Sequence, residues 1–392
     1  MKLIPRVQEG HADMTAWRRD IHAHPELGFQ EQRTADLVAE KLGAFGIEVH
    51  RGVGKTGVVG VLRVGNSHRS IGLRADMDAL PILEANKFDH RSRHDGRMHA
   101  CGHDGHTTML LGAARYLAET RGFDGTINFI FQPAEEGLGG AEAMVKDGLF
   151  DRFPCEAIYG MHNRPGLAVG KFQIRAGAMM AGGAFFDIHI TGKGSHGARP
   201  EAGIDPVVIA AQITTALQTI VARSVRPVDT CVVSVTQIHG GDAYNVIPQT
   251  AVLRGTVRCF SAQVMRLVED RMRALAESIA AGFGAKAELD FRALFPALIN
   301  HADETDFIAD CASEVVGPEN INRQGPLTMA SEDFSIMLEH VPGAYIQIGN
   351  GDGEGACEVH NPGYDFNDAA LPLGSALFCH LVEKHLSRLG RE

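Results

Sequence analysis

The stretch Thr126-Ile127-Asn128-Phe129-Ile130-Phe131-Gln132-Pro133-Ala134-Glu135-Glu136-Gly137 joins an apolar run to a proline, two adjacent carboxylates and a glycine. The run Thr126–Phe131 has the length and composition of a buried strand. A helical pattern follows over Gly137–Leu149, and then a second strand, Ala157–Met161. Strands alternating with helices predict an α/β fold, a mostly parallel sheet with helices on both faces. Sites in such sheets gather beyond the C-terminal ends of the strands. Glu135 and Glu136 fall there, and His162 follows the strand that ends at Met161.

Working outward, residues from about Met14 to Phe45 keep roughly helical apolar spacing, through Ala35, Leu37, Val38, Leu42 and Phe45, with Gly46 as a stop. Two short strands follow, Gly57–Val64 and Ser70–Ala75, and a helix begins after Asp104. The pattern changes near Gly183. Ala184–Thr191 reads as a strand, and Asp205-Pro206 opens a helix to about Arg223, with Asp as N-cap and Pro at the first helical position. Strands at Cys231–Ile238 and Thr250–Cys259, a helix at Ala262–Ala281 and a strand at Lys286–Arg292 complete the order β-α-β-β-α-β, a ferredoxin-like split unit. The expected organisation is a catalytic domain of residues 1–182 and 295–392 with an inserted domain, 183–294. A helix near Glu304–Val316, the strand Ala344–Gly349 and a terminal helix Ala369–Arg388 return to the first domain.

At 392 residues the chain exceeds what one hydrophobic core usually serves, which agrees with two domains. A composition 44% hydrophobic and 22% charged is that of a soluble globular protein. The net charge of −11 argues against nucleic acid or an anionic membrane as the main partner. The first residues lack the apolar core of a signal peptide, and no apolar run reads as long enough to span a bilayer. Seven scattered cysteines are an odd number and do not form a disulfide framework, so a reducing cytoplasm is expected.

The chemistry is concentrated in Met98-His99-Ala100-Cys101-Gly102-His103-Asp104. Cys, His and Glu bind borderline divalent metals. Cys101 and His103, two apart in a glycine-flanked loop, can converge on one ion or a pair. In isolation they would be a buried thiol and a hydrogen-bonded imidazole, and the Glu pair a solvated helix start. Taken with His162 and His360, each expected in a short polar loop, they make a ligand set too large for one ion. Two ions acting on water and carbonyl suit hydrolysis. One carboxylate of the Glu135-Glu136 pair would bind metal and the other carry the proton, and sequence order does not say which. His99 and His106 are expected as supporting residues, and Asp104 as a helix cap.

The inserted domain carries Gly192-Lys193-Gly194-Ser195-His196-Gly197, which formally matches the dinucleotide fingerprint. Pro200 interrupts the required helix and no acidic residue ends a second strand at the right distance, so that reading fails. What remains is a glycine loop presenting His196, an oxyanion donor. Asn245 and Arg254 could bind a substrate carboxylate, although an ordinary surface ion pair is the plainer role for Arg254.

These runs resemble the hippurate hydrolase and N-acyl-amino-acid amidohydrolase family, which includes indoleacetyl–amino acid hydrolases. The resemblance extends over nearly the whole chain. It takes in Arg18-Arg19-Asp20-Ile21-His22-Ala23-His24-Pro25-Glu26-Leu27, Leu73-Arg74-Ala75-Asp76-Met77-Asp78-Ala79-Leu80-Pro81 and Asn245-Val246-Ile247-Pro248, beside the Cys-Gly-His-Asp, Pro-Ala-Glu-Glu-Gly and Gly-Ser-His-Gly runs. It implies Cys101, His103, Glu136, His162 and His360 as ligands of two divalent ions (Zn, Mn, Co or Ni), with Glu135 as general base and acid. It also implies an inserted lid that makes a homodimer, His196 acting within or across it, and Asn245 and Arg254 on the substrate carboxylate. Relatives outside this subgroup carry His-x-Asp where this chain has Asp76-Met77-Asp78, which leaves those two aspartates as supporting residues. The expected activity is metal-dependent hydrolysis of N-acyl amino acids. Its rivals are a dipeptidase or carboxypeptidase, a Cys101-dependent amidase and a non-catalytic metal-binding protein.

Overall fold

Eight strands form the principal sheet of the computed structural model, which describes residues 4–353 and 357–387. Their order across the sheet is Glu48–Val53, Gly57–Val64, Gly125–Gln132, Ser70–Asp76, Ala157–Pro165, Gly343–Gly351, Phe172–Gln173 and Ile321–Asn322. The four central strands run parallel to one another. The flanking strand Gly57–Val64 is antiparallel to both of its neighbours. Ser70–Asp76 and Gly343–Gly351 are buried along their whole length, as central strands of such a sheet are. The helix His103–Thr120 packs on the terminal helix Leu371–His385 through a core that includes Met109, Leu110, Leu111 and Leu117.

The chain divides into two compact units, one of residues 1–179, 299–326 and 333–392, the other of residues 180–298 with 327–332. These boundaries lie a few residues from 182/183 and 294/295, and the short return at 327–332 was not legible in the sequence. That return, Leu327-Thr328-Met329-Ala330-Ser331-Glu332, is neither helix nor strand, and it joins the smaller unit by accepting the Ala181 N–H at Thr328 O and Ala330 O. The smaller unit is a four-stranded antiparallel sheet in the order Cys231–His239, Thr250–Cys259, Gly182–Thr191, Lys286–Phe295. Helices Pro206–Thr219 and Ala262–Gly282 complete the split β-α-β unit. Asp205 caps the first helix by accepting from the N–H groups of Val207 and Val208.

Three expectations need correcting. The helix expected from Met14 to Phe45 is two helices, His11–Ala23 and Gln32–Ala44. Pro25 has no N–H and bars His24 from helical backbone, and Phe29 then takes a positive φ of 61°. The helix expected over Gly137–Leu149 is shorter, Gly140–Lys146, with a separate turn at Leu149–Arg152. Finally, the helical run Pro206–Ser224 is long and apolar enough to cross a membrane by length and composition. Here Ile209, Ala210, Ile213 and Leu217 are buried in the core of the smaller unit.

Candidate metal centre

Four of the five candidate ligands, Cys101, His103, Glu136 and His360, stand at or close to a residue with a positive φ. Gly102, between Cys101 and His103, has a φ of 97° and precedes the helix His103–Thr120. A Cβ there would collide with Asn163 Oδ1 and Tyr364 Oη, so only glycine lets the loop lie this close. Glu135 and Glu136 follow Ala134, whose φ is 53°, beyond the end of the strand Gly125–Gln132. His360 itself has a φ of 67°, and its N–H donates to Ala100 O at 2.7 Å, which ties the two ligand loops together. His162 differs from expectation: it lies within the strand Ala157–Pro165 rather than in a loop. Its neighbours on both sides are part of the sheet, so strand geometry sets its position.

The five side chains converge. Donor atoms of Cys101, His103 and His162 lie within 4.8 Å of one another, as do those of Cys101, Glu136 and His360, and those of His103, Glu135 and Glu136. Cys101 Sγ is 3.3 Å from His162 Nε2. Glu136 Oε1 is 3.1 Å from His360 Nε2 and 4.0 Å from His103 Nε2. Both His103 Nε2 and Glu136 Oε1 are buried without a hydrogen-bond partner. Burying two such atoms unsatisfied is costly unless another group takes their lone pairs. The ring geometry agrees. His103 Nδ1 is 3.2 Å from Asp78 Oδ1, and His162 Nδ1 is 2.7 Å from Asn163 O. Both partners only accept, so each Nδ1 carries a proton and each Nε2 is the ring atom turned to the cluster. Thiolate, imidazole and carboxylate donors in overlapping groups fit divalent ions such as zinc.

Charge points the same way. Burial pushes the His103 pKa down, but Asp76, Asp78 and Glu136 overcome it and raise it to about 10, so the carboxylates hold a positive charge at this ring, and a metal ion would take the place of its Nε2 proton. His162 is driven well below its ordinary value by burial and by His106, so it is neutral and able to donate a lone pair. Burial and then Glu136, Glu135 and Asp76 lift the Cys101 thiol well above its usual range. A nucleophilic cysteine needs a cationic, thiolate-favouring setting, and Cys101 has the opposite until a cation is present. The carboxylates Asp76, Asp78, Glu135 and Glu136 around a buried thiol form a negative pocket. Glu135 is buried, not solvated as an isolated pair at a helix start would be.

On the smaller unit, His196 and Asn245 share a two-stranded ribbon. Ser195–His196 pairs with Val246–Ile247, and Gly197 N–H donates to Asn245 O at 2.7 Å. Ala198 N–H donates to His196 Nδ1 at 3.0 Å. The neutral ring therefore carries its proton on Nε2, the tautomer that can donate to an oxyanion. Arg254 makes an ion pair with Asp187, Nε to Oδ2 at 3.0 Å, and Asp187 also takes Arg292. Arg258, four residues on, has no carboxylate partner among the described residues. Its guanidinium donates to Thr256 Oγ1 and to Val257 O, and burial lowers its pKa.

Comparison with known proteins places this geometry. Peptidase family M20/M25/M40 matches residues 72–384. The chain belongs to this family. It is 42% identical to hippurate hydrolase of Campylobacter jejuni over 386 residues, covering 98% of this chain and 100% of that one. It is 39% identical to N-acetyl-L-cysteine deacetylase of Bacillus subtilis over 359 residues, 90% of this chain and 83% of the relative. A crystal structure of a dinuclear metal-binding M20 peptidase from Bacillus subtilis superposes with a TM-score of 0.83 at 35% identity, covering 97% of this chain and 100% of that one.

In this M20 member the residues expected in support, Asp76, Asp78, His99 and His106, lie around the donor cluster, but their partners were not legible in the sequence. Asp78 holds two ligands at once, His103 through Oδ1 and, through Oδ2, the Glu136 N–H at 3.0 Å. Asp76 Oδ1 is 2.6 Å from His106 Nδ1, and His106 Nε2 is 2.7 Å from Asn163 Oδ1. Arg74 donates to the other Asp76 oxygen at 2.7 Å, with both side chains fully buried. Asp104 is not a helix cap. It is buried against His22 Nδ1 at 2.9 Å and Arg18 at 3.5 Å, and Arg18 also holds Asp365 and Asp368. His99 is buried with neither ring nitrogen partnered, and its pKa falls to about 3.

Proposed function

We propose that this chain hydrolyses the amide bond of N-acyl amino acids of the hippurate or N-acetyl type, an amidohydrolase activity. The observation that carries this reading is the buried Glu135 beside a donor cluster in which His103 Nε2 and Glu136 Oε1 are buried without a hydrogen-bond partner. Cys101, His103, Glu136, His162 and His360 would hold two divalent ions, zinc, manganese, cobalt or nickel. When bound, such ions polarise a carbonyl and lower the pKa of water. Glu135 takes the proton from the attacking water and returns it to the leaving nitrogen. His196, protonated on Nε2, donates to the oxyanion. Asn245 and an arginine of the same unit hold the free carboxylate of the amino-acid half. Arg254 can serve only by giving up Asp187, whereas Arg258 has no acid to release, so Arg258 is the stronger partner.

Two further readings follow. A homodimer through the smaller unit is supported by its apolar surface, where Val207, Val208, Ile238, Tyr244 and Val246 are exposed, and by Cys231–His239 standing at a sheet edge. Sedimentation at micromolar concentration showing only monomer would end that reading. The cysteines are free thiols, which suits a reducing compartment such as the cytoplasm.

The deciding experiment is hydrolysis of hippurate, several N-acetyl amino acids and dipeptides, before and after chelation and with single metals restored. Metal-restored release of the amino acid from acyl substrates is expected. Turnover confined to dipeptides would move the assignment to a dipeptidase or carboxypeptidase. Turnover surviving full chelation would leave a Cys101-dependent amidase.

A further inference from the structure

We infer that Glu31 is a positioning residue for Glu135, fastening the strained turn on which that residue stands. The inference rests on the reading of Glu135 as the proton carrier. Ala134, immediately before it, has a φ of 53°, a left-handed conformation that side-chain-bearing residues avoid. Such a conformation persists only where the surroundings over-determine it. Glu31 Oε1 accepts the Ala134 N–H at 2.8 Å, and Ala134 O accepts from Gly140 N–H at 3.0 Å. Gly28 packs against the other side. A Cβ on Gly28 would come within 3.1 Å of Ala134 Cα, and a Cβ on Gly140 would collide with Pro133 O. The turn is thus clamped at its N–H, at its carbonyl and by two glycines.

Glu31 itself is an expensive group to keep in that place. It is fully buried, and its second oxygen accepts from Thr56 Oγ1 at 2.6 Å. Among the described residues it has no ion-pair partner, and its hydrogen bonds come from the neutral donors Ala134 N–H and Thr56 Oγ1. Burial raises its pKa. Its role becomes clear beside Asp78, which holds the Glu136 N–H at 3.0 Å. Glu135 therefore sits between two amides, each fastened to a buried carboxylate. Glu31 sets the upstream flank that aims Glu135, and Asp78 separately holds the residue expected to bind metal. This gives a role to the segment Pro25-Glu26-Leu27-Gly28-Phe29-Gln30-Glu31, which supplies both the carboxylate and the close-packed glycine.

The test compares Glu31→Ala, Glu31→Gln, Ala134→Gly and the double variant Glu31→Ala/Ala134→Gly, with Glu135→Gln as reference. Turnover of an N-acyl amino acid, KM, bound metal per chain and thermal midpoint are read for each. Glu31→Ala is expected to lower kcat about 100-fold, the scale of a misplaced catalytic group, with KM within about 3-fold and metal content unchanged. Glu31→Gln keeps most of kcat, because its amide oxygen can still accept the Ala134 N–H while its NH2 donates to Thr56. Ala134→Gly alone stays near wild type, since glycine adopts this backbone without strain. In the double variant glycine restores kcat about 10-fold over Glu31→Ala, a rescue that loss of bulk stability would not give.

Wild-type kcat in Glu31→Ala overturns the inference, as does a loss relieved neither by Gln nor by Ala134→Gly. If Glu31→Ala does not fold, Glu31→Leu fills the space without an acceptor and is read instead. Ala134→Val strains the same turn without touching Glu31 and is expected to lower kcat at constant KM. Near-normal turnover in Glu135→Gln would sink the base assignment itself. An inactive Glu135→Gln beside a fully active Glu31→Ala would sink only the positioning role.

Discussion

The donor cluster of the larger unit and the His196–Asn245 ribbon of the smaller one make opposite use of hydrogen bonding. In the first, buried polar neighbours hold the ligands: Asp78 backs the His103 ring and the Glu136 N–H, the Asn163 carbonyl backs the His162 ring, and the Ala100 carbonyl ties the His360 backbone. In the second, His196 and Asn245 are exposed, and a two-residue pairing with one contact to His196 Nδ1 is what holds them. The first arrangement is preorganised at the cost of atoms left unsatisfied, and the second keeps its donors hydrated. Substitutions in the two regions should therefore fail in different ways. Loss of a group in the buried cluster should strike kcat or metal content, and loss on the ribbon should leave metal binding untouched.

The largest effect belongs to Glu135. Glu135→Gln keeps the shape and the flanking anchors but cannot carry a proton, so kcat should fall by about 10³ or more. Bound metal, read by elemental analysis, should match wild type. Removing His196 should come next. His196→Ala takes away one oxyanion donor and is expected to lower kcat by about 10²-fold. Metal content should be identical to wild type and KM nearly so, and loss of metal in that variant would contradict the separation of the two regions. Smaller again is the contrast on the strand Thr250–Cys259. Arg258→Ala should raise KM by about 10- to 100-fold for substrates with a free carboxylate and leave the corresponding amides unaffected. Arg254→Ala should change KM less, because Asp187 already occupies that guanidinium. The reverse ranking would return the carboxylate to Arg254.

The same contrast explains what the sequence could tell. Cys101, His103, Glu135 and Glu136 lie in short runs whose residue types announce their chemistry, and strand ends brought them to one edge of the sheet. His162 was recognisable by type but was expected in a loop, because a ligand inside a strand leaves no local mark. Asp76, Asp78 and His106 were expected in support, but which groups such neighbours hold was not legible, for a simpler reason. Glu31, Asp78 and Arg18 act over separations of 103, 58 and 86 residues on Ala134, Glu136 and Asp104, and no spacing rule reaches so far. Pro25 did stand in plain view. Apolar spacing continued on either side of it, so periodicity was allowed to override a residue that stops helices. The return at 327–332 is tied to the smaller unit through the backbone at Ala181, which side-chain patterning does not encode.

The last effect is on stability and concerns the buried ion cluster beneath the ligand loops. His22 lies between Asp104 Oδ2 at 2.9 Å and Glu84 Oε1 at 3.2 Å. Burial works against its charge, but the two carboxylates prevail and raise its pKa from 6.5 to about 9. A group whose pKa is higher folded than unfolded binds its proton more tightly in the native state. Its contribution is therefore complete below pH 6.5 and is lost as pH climbs through about 9. The shift corresponds to an order of ~3 kcal/mol. Wild-type protein should thus lose thermal midpoint between pH 6.5 and 9.5 relative to His22→Gln, whose neutral side chain cannot titrate. Because Asp104 is the neighbour of His103, the two proteins should also diverge in metal retention over that range if the cluster steadies the ligand loop. Parallel midpoint curves would mean that His22 is neutral when folded and that Arg18 is the cation facing Asp104.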